Sequence, residues 1–157
     1  MATSQAKQVI TSWGRVLREP HEVLGLTARH APLVLPREGC TALPYGNGRS
    51  YGDSNLNPGG AVWRCAALDR FMAFDAATGV LRCEAGVLLA DILKLVVPQG
   101  WFLPVTPGTQ FVTVGGAIAN DVHGKNHHVA GSFGNHVRAL ELLRTDGQRL
   151  HCTPDEH

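Results

Sequence analysis

The spacing of apolar residues along the chain predicts short helices mixed with strands. Over residues 88–97 the apolar positions recur at intervals of three and four, which is typical of one face of a helix. Pro98 and Gly100 follow at once and are expected to end this helix. A second helix is predicted over residues 20–30, because Pro20 suits the first turn of a helix.

Apolar runs bounded by turn residues predict strands elsewhere in the chain. Two pairs of runs have the form of β-hairpins, one closed by residues 76–79 with a glycine and the other by Asp146-Gly147. The predicted strands cover residues 33–36, 61–65, 71–75, 80–84, 137–145 and 148–153. The predicted class is therefore α+β, and the pattern alone leaves α/β open.

Glycine is concentrated in two windows of the sequence. Of the 18 glycines, six fall within residues 39–60 and seven within residues 100–134. Glycine lets the backbone adopt positive φ angles and approach a ligand closely. The two windows therefore predict two backbone surfaces built around a ligand, and an ordinary series of turns is the alternative.

Composition and charge exclude several classes of protein. The chain has 157 residues, 44% of them apolar, and a net charge of +1 from 14 basic and 13 acidic side chains. This balance is typical of a folded domain and argues against a polyelectrolyte that coats nucleic acid. No apolar run is long enough to span a membrane, and the N-terminus lacks a signal-peptide core. The four dispersed cysteines then predict reduced, mostly buried thiols and a cytoplasmic location.

The first glycine window, residues 43–53, fails the two common nucleotide motifs. Its third glycine is one place late for a Rossmann fingerprint. A Walker A loop is excluded as well, because the one Gly-Lys pair of the sequence, Gly124-Lys125, lacks the first glycine of that motif. What remains is a run of backbone N–H groups that could form an anion-binding nest. Arg49 and the hydroxyls of Ser50 and Tyr51 would suit a pyrophosphate.

The second window, residues 107–121, is small and apolar around Gly115-Gly116. These glycines are expected to start a short helix whose amides point at a phosphate.

A cluster of histidines follows the second window and raises the question of a metal. His123 and His127 are four residues apart, the spacing that places two imidazoles on one face of a helix. However, Gly124 lies between them, and residues 122–136 contain no acidic residue or cysteine. We therefore expect no metal and interpret the histidines as polar residues lining a pocket. For Lys125, a solvated surface position and a substrate-facing role both stay open.

These motifs together resemble the FAD-binding domain of the vanillyl-alcohol oxidase (PCMH-type) superfamily. The residues that carry the resemblance are 46–53 and 107–119. Residues 121–137, with the run His-Gly-Lys-Asn-His-His, are similar to the branch of decaprenylphosphoryl-ribose 2′-oxidases and sugar-lactone oxidases. The resemblance extends from about Trp13 to Pro154.

The resemblance implies two α+β lobes with FAD held between them, the second lobe being incomplete here. Residues 1–157 would be the N-terminal part of that domain, with the C-terminal substrate domain outside the chain. The whole enzyme would oxidise a carbinol carbon of a sugar or of a polyprenyl-phosphate sugar, with peripheral membrane association an open possibility. The chain alone is expected to be inactive.

The resemblance also implies which residues contact FAD. The pyrophosphate loop would consist of Tyr45, Gly46, Asn47, Gly48, Arg49, Ser50, Tyr51, Gly52 and Asp53. The dinucleotide would further be lined by Gly108, Thr113, Val114, Gly115, Gly116, Ala119, Asn120, Asp121, Gly124, Val129 and Ala130. His123 and Lys125 would be the catalytic candidates at the isoalloxazine and substrate face, with His123 also against the flavin.

One departure from the superfamily bears on how FAD is held. Many relatives carry at the position of Arg49 a histidine that bonds covalently to the flavin, and arginine cannot form that bond. The resemblance therefore implies non-covalent FAD. The alternatives are a stand-alone module that binds a small ligand or a protein without redox chemistry and, less favoured, a catalytic metalloprotein.

Overall fold

The computed structural model of the protein describes residues 7–156. The strands are β1 (Gln8–Val9), β2 (Pro20–Gly25), β3 (Ala42–Tyr45), β4 (Ala61–Arg64), β5 (Phe71–Asp75), β6 (Val80–Cys83), β7 (Leu140–Leu143) and β8 (Arg149–Cys152). The helices are α1 (Leu89–Val96), α2 (Val114–Ala119) and α3 (His127–Ala130), with 3₁₀ turns at Val97–Gln99 and Phe133–His136. The mixed content agrees with the predicted α+β class.

A four-stranded sheet with the order β1-β2-β4-β3 organises the first part of the chain. β1 runs antiparallel to β2, whereas β2 and β3 both run parallel to β4. Because side chains alternate across a strand, Val23 and Val62 pack on one face and Leu24 and Trp63 on the other. Both faces of the central pair are buried, as parallel strands require.

A separate apolar cluster joins α1 to the hairpin of β5 and β6. Leu89, Ile92 and Val96 are buried along one face of α1, and Phe74 and Leu81 of the hairpin pack against them. The helical spacing of the apolar residues in the sequence therefore identifies the buried face of α1.

The predicted helix over residues 20–30 is wrong, because this segment contains β2. Pairing with β4 from Glu22 opposite Ala61 to Gly25 opposite Arg64 supplies backbone partners along the strand. His21 is fully buried, and its ring lies within hydrogen-bonding distance of the carbonyl of Glu19. Pro20 is tolerated because it is the first residue of the strand.

The predicted strand over residues 33–36 is also wrong, since this segment has no regular structure. Val34 and Leu35 are about half exposed, and Pro36 cannot donate to a strand neighbour. The carbonyl of Val34 instead accepts a hydrogen bond of 2.7 Å from the indole of Trp63. All four thiols are free and partly buried.

The other predicted elements are confirmed, β5 with the predicted bounds and the rest with shorter ones. α1 lies within residues 88–97, and both hairpins form with the predicted turns. Gly79 and Gly147 adopt the positive φ angles that those turns need. Within residues 7–156, no helix combines the length and apolarity needed to cross a bilayer.

Leu89→Ala tests the cluster around α1. Leu89 is only 1% exposed, so removing its side chain is expected to lower the free energy of unfolding by about 2–5 kcal/mol. Leu142→Ala makes the same chemical change at a side chain that is 47% exposed, and is expected to cost no more than about 0.5 kcal/mol. Urea unfolding followed by circular dichroism measures both, and equal losses would contradict the assigned core.

Candidate functional site

The loop after β3, residues 46–53, depends on glycine for its shape. Gly48 has a φ of +62° and is buried against Tyr45 and Thr11. A Cβ at Gly48 would lie 2.6 Å from the carbonyl oxygen of Thr11 and against the hydroxyl of Tyr45. Gly52 also has a positive φ, +57°, but has open space around it. The backbone therefore approaches its neighbours closely at Gly48.

The backbone amides of this loop are available to a ligand. Among the described residues, no N–H group from 46 to 53 donates a hydrogen bond to an acceptor in the chain. Successive unengaged amides in a turn form a site for an anion, because a buried or half-buried N–H needs an acceptor. The loop therefore has the donor set expected of the predicted pyrophosphate loop.

Arg49 adds a cation whose hydrogen bonds are only partly used. Its Nη1 donates to the carbonyl of Asn47 at 2.8 Å, and its guanidinium carbon lies 5.8 Å from the centroid of the Trp13 ring. Its Nε is buried without a partner. In the part of the chain that the structure describes, the other such side-chain atoms are Ser12 Oγ and Asn55 Oδ1. All three belong to the loop region or to the segment beside it.

The loop is fastened to the second glycine window at two points. The side-chain amide of Asn47 donates to the carbonyl of Phe111 at 2.7 Å. Gly46 lies so close to Thr113 that a Cβ there would be 2.5 Å from the threonine Oγ1. The two windows, distant in sequence, thus meet in the fold as two adjoining surfaces.

The start of α2 differs from the expectation that its amides point at a phosphate. Val114 N donates to Val87 O and Gly115 N to Ala85 O, both at 2.8 Å, while Gly116 N donates to Thr113 Oγ1 at 3.2 Å. Thr113 is therefore the N-cap, and the first amides are consumed by the chain. That expectation is wrong for this helix.

Asn120 and Asp121 also use their side chains within the protein. The amide of Asn120 donates to the carbonyl of Gly116 at 2.8 Å. The carboxylate of Asp121 accepts the N–H of Gly134 at 2.8 Å, and this bond, with help from Ser132, holds the pKa of Asp121 below its ordinary value. Both side chains are therefore engaged within the protein, although both residues are exposed.

The segment 123–126 presents its histidine and lysine to solvent. Gly124 is buried, and a Cβ there would lie 2.7 Å from the carbonyl of Thr106. Asn126 donates to the carbonyl of Pro104 at 3.0 Å, which fixes the segment against residues 104–106. The side chains of His123 and Lys125 on this backbone are exposed, which fits a solvated surface position and a substrate-facing role equally.

The histidine rings approach one another without forming a metal centre. The centroids of His123 and His127 are 5.2 Å apart, and those of His127 and His128 are 5.9 Å apart. Between residues 7 and 156, no three side chains of His, Cys, Asp or Glu are placed to hold a metal ion together.

Several predicted contacts lie on open surface. Tyr51 and Val129 are 82% and 83% exposed, and Gly52, Asp53, Gly108 and Ala119 are exposed as well. The carbonyl of Ala130 lies 2.8 Å from Nε2 of His136. No described contact joins this group of residues to Arg49.

Two concavities adjoin the windows. One of about 140 Å³ is lined by Asn47, Asp69, Asp91 and Thr113, and is smaller than the 300–1,000 Å³ usual for ligand pockets. Another of about 490 Å³ beside α1 includes Phe111 but none of the predicted site residues. The exposed loop, with its unengaged amides, is the stronger candidate for binding.

The segment of Thr11, Ser12 and Trp13 lies at the loop, although no sequence motif marks these residues as part of the site. Tyr45 donates to the carbonyl of Thr11 at 2.8 Å, and Trp13 N donates to the carbonyl of Ser50 at 3.1 Å. A run of three residues without an apolar pattern does not indicate hydrogen bonds to residues that are distant in the sequence.

Comparison with known families decides the class of the chain. A sequence profile described as an FAD-binding domain matches residues 33–153. The chain belongs to this FAD-binding domain family. The family confirms the resemblance and the cofactor, FAD, that the resemblance implies. The unengaged amides of the loop and the unpartnered Nε of Arg49 fit the anionic part of this cofactor.

Characterised relatives of the FAD-binding domain family include several oxidoreductases. The chain is 43% identical over 150 residues to decaprenylphosphoryl-beta-D-ribose oxidase of Mycolicibacterium smegmatis, covering 92% of this chain and 33% of that protein. It is 34% identical over 83 residues to human delta(24)-sterol reductase, covering 53% and 16%. It is 29% identical over 90 residues to D-lactate dehydrogenase of Anaerostipes hadrus, covering 57% and 19%. The chain thus spans a third or less of the length of these relatives.

Gly48→Ala and Gly52→Ala form a matched test of the loop. Both glycines have positive φ, so alanine carries the same backbone penalty of about 1–2 kcal/mol at each position. Only Gly48 is packed against neighbouring atoms, so Gly48→Ala is expected to cost about 1–3 kcal/mol more. Urea unfolding measures the difference, and equal destabilisation would contradict the close packing at Gly48.

Asp121→Asn tests the carboxylate that holds residues 132–134. The pKa of Asp121 is lower in the folded chain than in the unfolded one, so its stabilising effect is present near pH 7 and lost as the pH falls through the folded pKa. The variant is expected to have a lower Tm than the wild type at about pH 7, and the gap is expected to close as the pH falls below the ordinary Asp pKa of about 3.9. Thermal unfolding across this range measures it; a gap that does not depend on pH would contradict the assignment.

Proposed function

We propose that this chain is the FAD-binding part of an oxidoreductase that oxidises a carbinol carbon of a sugar. The observation that carries the proposal is the loop 46–53, whose amides donate to no acceptor in the described chain and which lies against the second window. The 43% identity to a decaprenylphosphoryl-ribose oxidase supports the substrate class.

In this proposal the loop and Arg49 bind the pyrophosphate of FAD. The amides supply neutral donors at short range, and the guanidinium supplies one positive charge with unused N–H groups. FAD, when bound, supplies a hydride acceptor, so the task of the protein is to bind, orient and handle protons. Arginine at position 49 supports non-covalent attachment, since it cannot form the histidyl link of other relatives.

His123 and Lys125 are proposed to act at the substrate face. Both are exposed on a backbone that Gly124 and Asn126 fix against residues 104–106. The ammonium of Lys125 would attract an anionic group such as the phosphate of a polyprenyl-phosphate sugar. His123 would orient a substrate hydroxyl by hydrogen bonding, a role that neutral imidazole can fill.

The proposal also covers the domain arrangement and the cellular location of the chain. Residues 1–157 would form the N-terminal part of a PCMH-type domain, and a separate C-terminal domain would complete the substrate site. The chain alone is then expected to bind FAD weakly and to lack turnover. A cytoplasmic location, with peripheral association where the substrate lies in lipid, completes the proposal.

A titration with FAD tests the proposed cofactor site. The wild type is expected to retain or acquire flavin absorbance that acid precipitation releases into solution. Arg49→Ala is expected to weaken FAD binding about tenfold to a hundredfold, because it removes charge-assisted hydrogen bonds worth about 1.5–3 kcal/mol. Arg82→Ala, at an exposed arginine of β6, is the control and is expected to leave the Kd unchanged.

Two outcomes would contradict the proposal. A colourless wild type whose Tm does not change with added FAD would favour the stand-alone binding module. Flavin that stays with the protein after acid precipitation would contradict non-covalent attachment.

A separate experiment tests the substrate class with an enzyme that includes this chain. Its flavin absorbance is expected to be bleached under anaerobic conditions by a polyprenyl-phosphate pentose but not by D-lactate.

A further inference from the structure

The segment Thr11–Trp13 packs against the loop 46–53, although it lies outside the residues that the family profile matches, 33–153. The carbonyl of Thr11 accepts the Tyr45 hydroxyl, and Gly48 is packed against that same carbonyl. Trp13 N donates to the carbonyl of Ser50. The segment therefore holds the loop both before and after Arg49.

Trp13 contacts Arg49 without accepting a hydrogen bond from its guanidinium. The guanidinium carbon is 5.8 Å from the Trp13 ring centroid, within the range of a cation–π interaction. One described hydrogen bond, from Nη1 to Asn47, uses a single donor of five. Since Nε is buried and has no partner in the chain, the guanidinium retains donors for an anion.

We propose that Trp13 is a positioning residue for the pyrophosphate site. Its indole holds the guanidinium of Arg49 so that the unused N–H groups meet the diphosphate of a dinucleotide, while the segment beside it keeps the amides of the loop in place. The inference rests on the proposed FAD function. It adds residues 11–13 to the side chains and backbone that shape the pyrophosphate site.

Trp13 could contribute in a second way that the test must separate. Its side chain is 52% exposed, so an indole face could stack directly on the isoalloxazine or adenine ring of the cofactor. Positioning of Arg49 affects only ligands that carry phosphate. Direct stacking on the isoalloxazine affects riboflavin equally, and stacking on the adenine affects FAD but not FMN.

The experiment compares four variants with three flavins and inorganic pyrophosphate. Trp13→Phe keeps an aromatic face, Trp13→Leu keeps bulk alone, Trp13→Ala removes both, and Phe71→Ala changes another exposed aromatic residue on β5 as the control. Quenching of flavin fluorescence gives the Kd of FAD, FMN and riboflavin, and the shift in Tm reports pyrophosphate binding.

For FAD and FMN, the Kd is expected to rise about fivefold to tenfold in Trp13→Ala and Trp13→Leu. Riboflavin binding is expected to be unchanged in every variant, and Trp13→Phe and Phe71→Ala are expected to resemble the wild type. The shift in Tm caused by pyrophosphate should shrink in the same two variants. If Trp13→Ala fails to fold, the comparison of Trp13→Leu with Trp13→Phe gives the same answer.

The outcomes separate this inference from the proposed function. Unchanged FAD and FMN binding in Trp13→Leu, an equal loss of riboflavin binding, or a loss confined to FAD would overturn the positioning role and leave the FAD function intact. A wild type that binds pyrophosphate through Trp13 but no FAD would overturn the FAD function and leave the anion site standing. A wild type that binds none of the ligands would overturn both.

Discussion

The close approach of Gly46 to Thr113 is the constraint on which the candidate site depends. No side chain can stand at Gly46, because a Cβ would meet the threonine Oγ1. Thr113 is itself committed as the N-cap of α2, and Asn47 adds a hydrogen bond to Phe111 beside this contact. The loop after β3 is thereby fixed to the segment that starts α2.

The distribution of satisfied and unsatisfied donors assigns different roles to the two glycine windows. At the start of α2, glycine serves close packing, since Gly115 lies against Ala85 and donates to its carbonyl. In the loop 46–53, glycine gives a backbone whose amides donate to no acceptor within the described chain. Glycine thus allows close packing at the start of α2, and in the loop 46–53 it accompanies a backbone with unengaged amides. The α2 window supports that loop.

Local pattern predicted the elements that local interactions stabilise. α1 follows from its helical spacing, and the two hairpins follow from Gly79 and Asp146-Gly147, so their existence was visible in the sequence. β2 was not, because a six-residue segment becomes a strand only when β4 pairs with it some forty residues later. The contacts of Thr11 and Trp13 with the loop, and the carbonyls that accept the first amides of α2, could not be predicted either. Both are tertiary contacts between segments distant in sequence. The loop was predicted to bind an anion from its glycines, Arg49 and the hydroxyls of Ser50 and Tyr51, and its assignment to FAD came from the resemblance.

The net charge of the chain limits how it can recognise an anionic cofactor. With a net charge of +1, the protein has little long-range field to attract a pyrophosphate. Recognition must then come from donors that act at contact distance, and the loop supplies these as backbone amides and one guanidinium. The side chains of Asn120 and Asp121 hydrogen-bond within the chain, and Arg49, His123 and Lys125 are the basic side chains that we propose to act on ligands. Affinity in such a site depends on geometry, so the residues that fix the loop matter as much as those that touch the ligand.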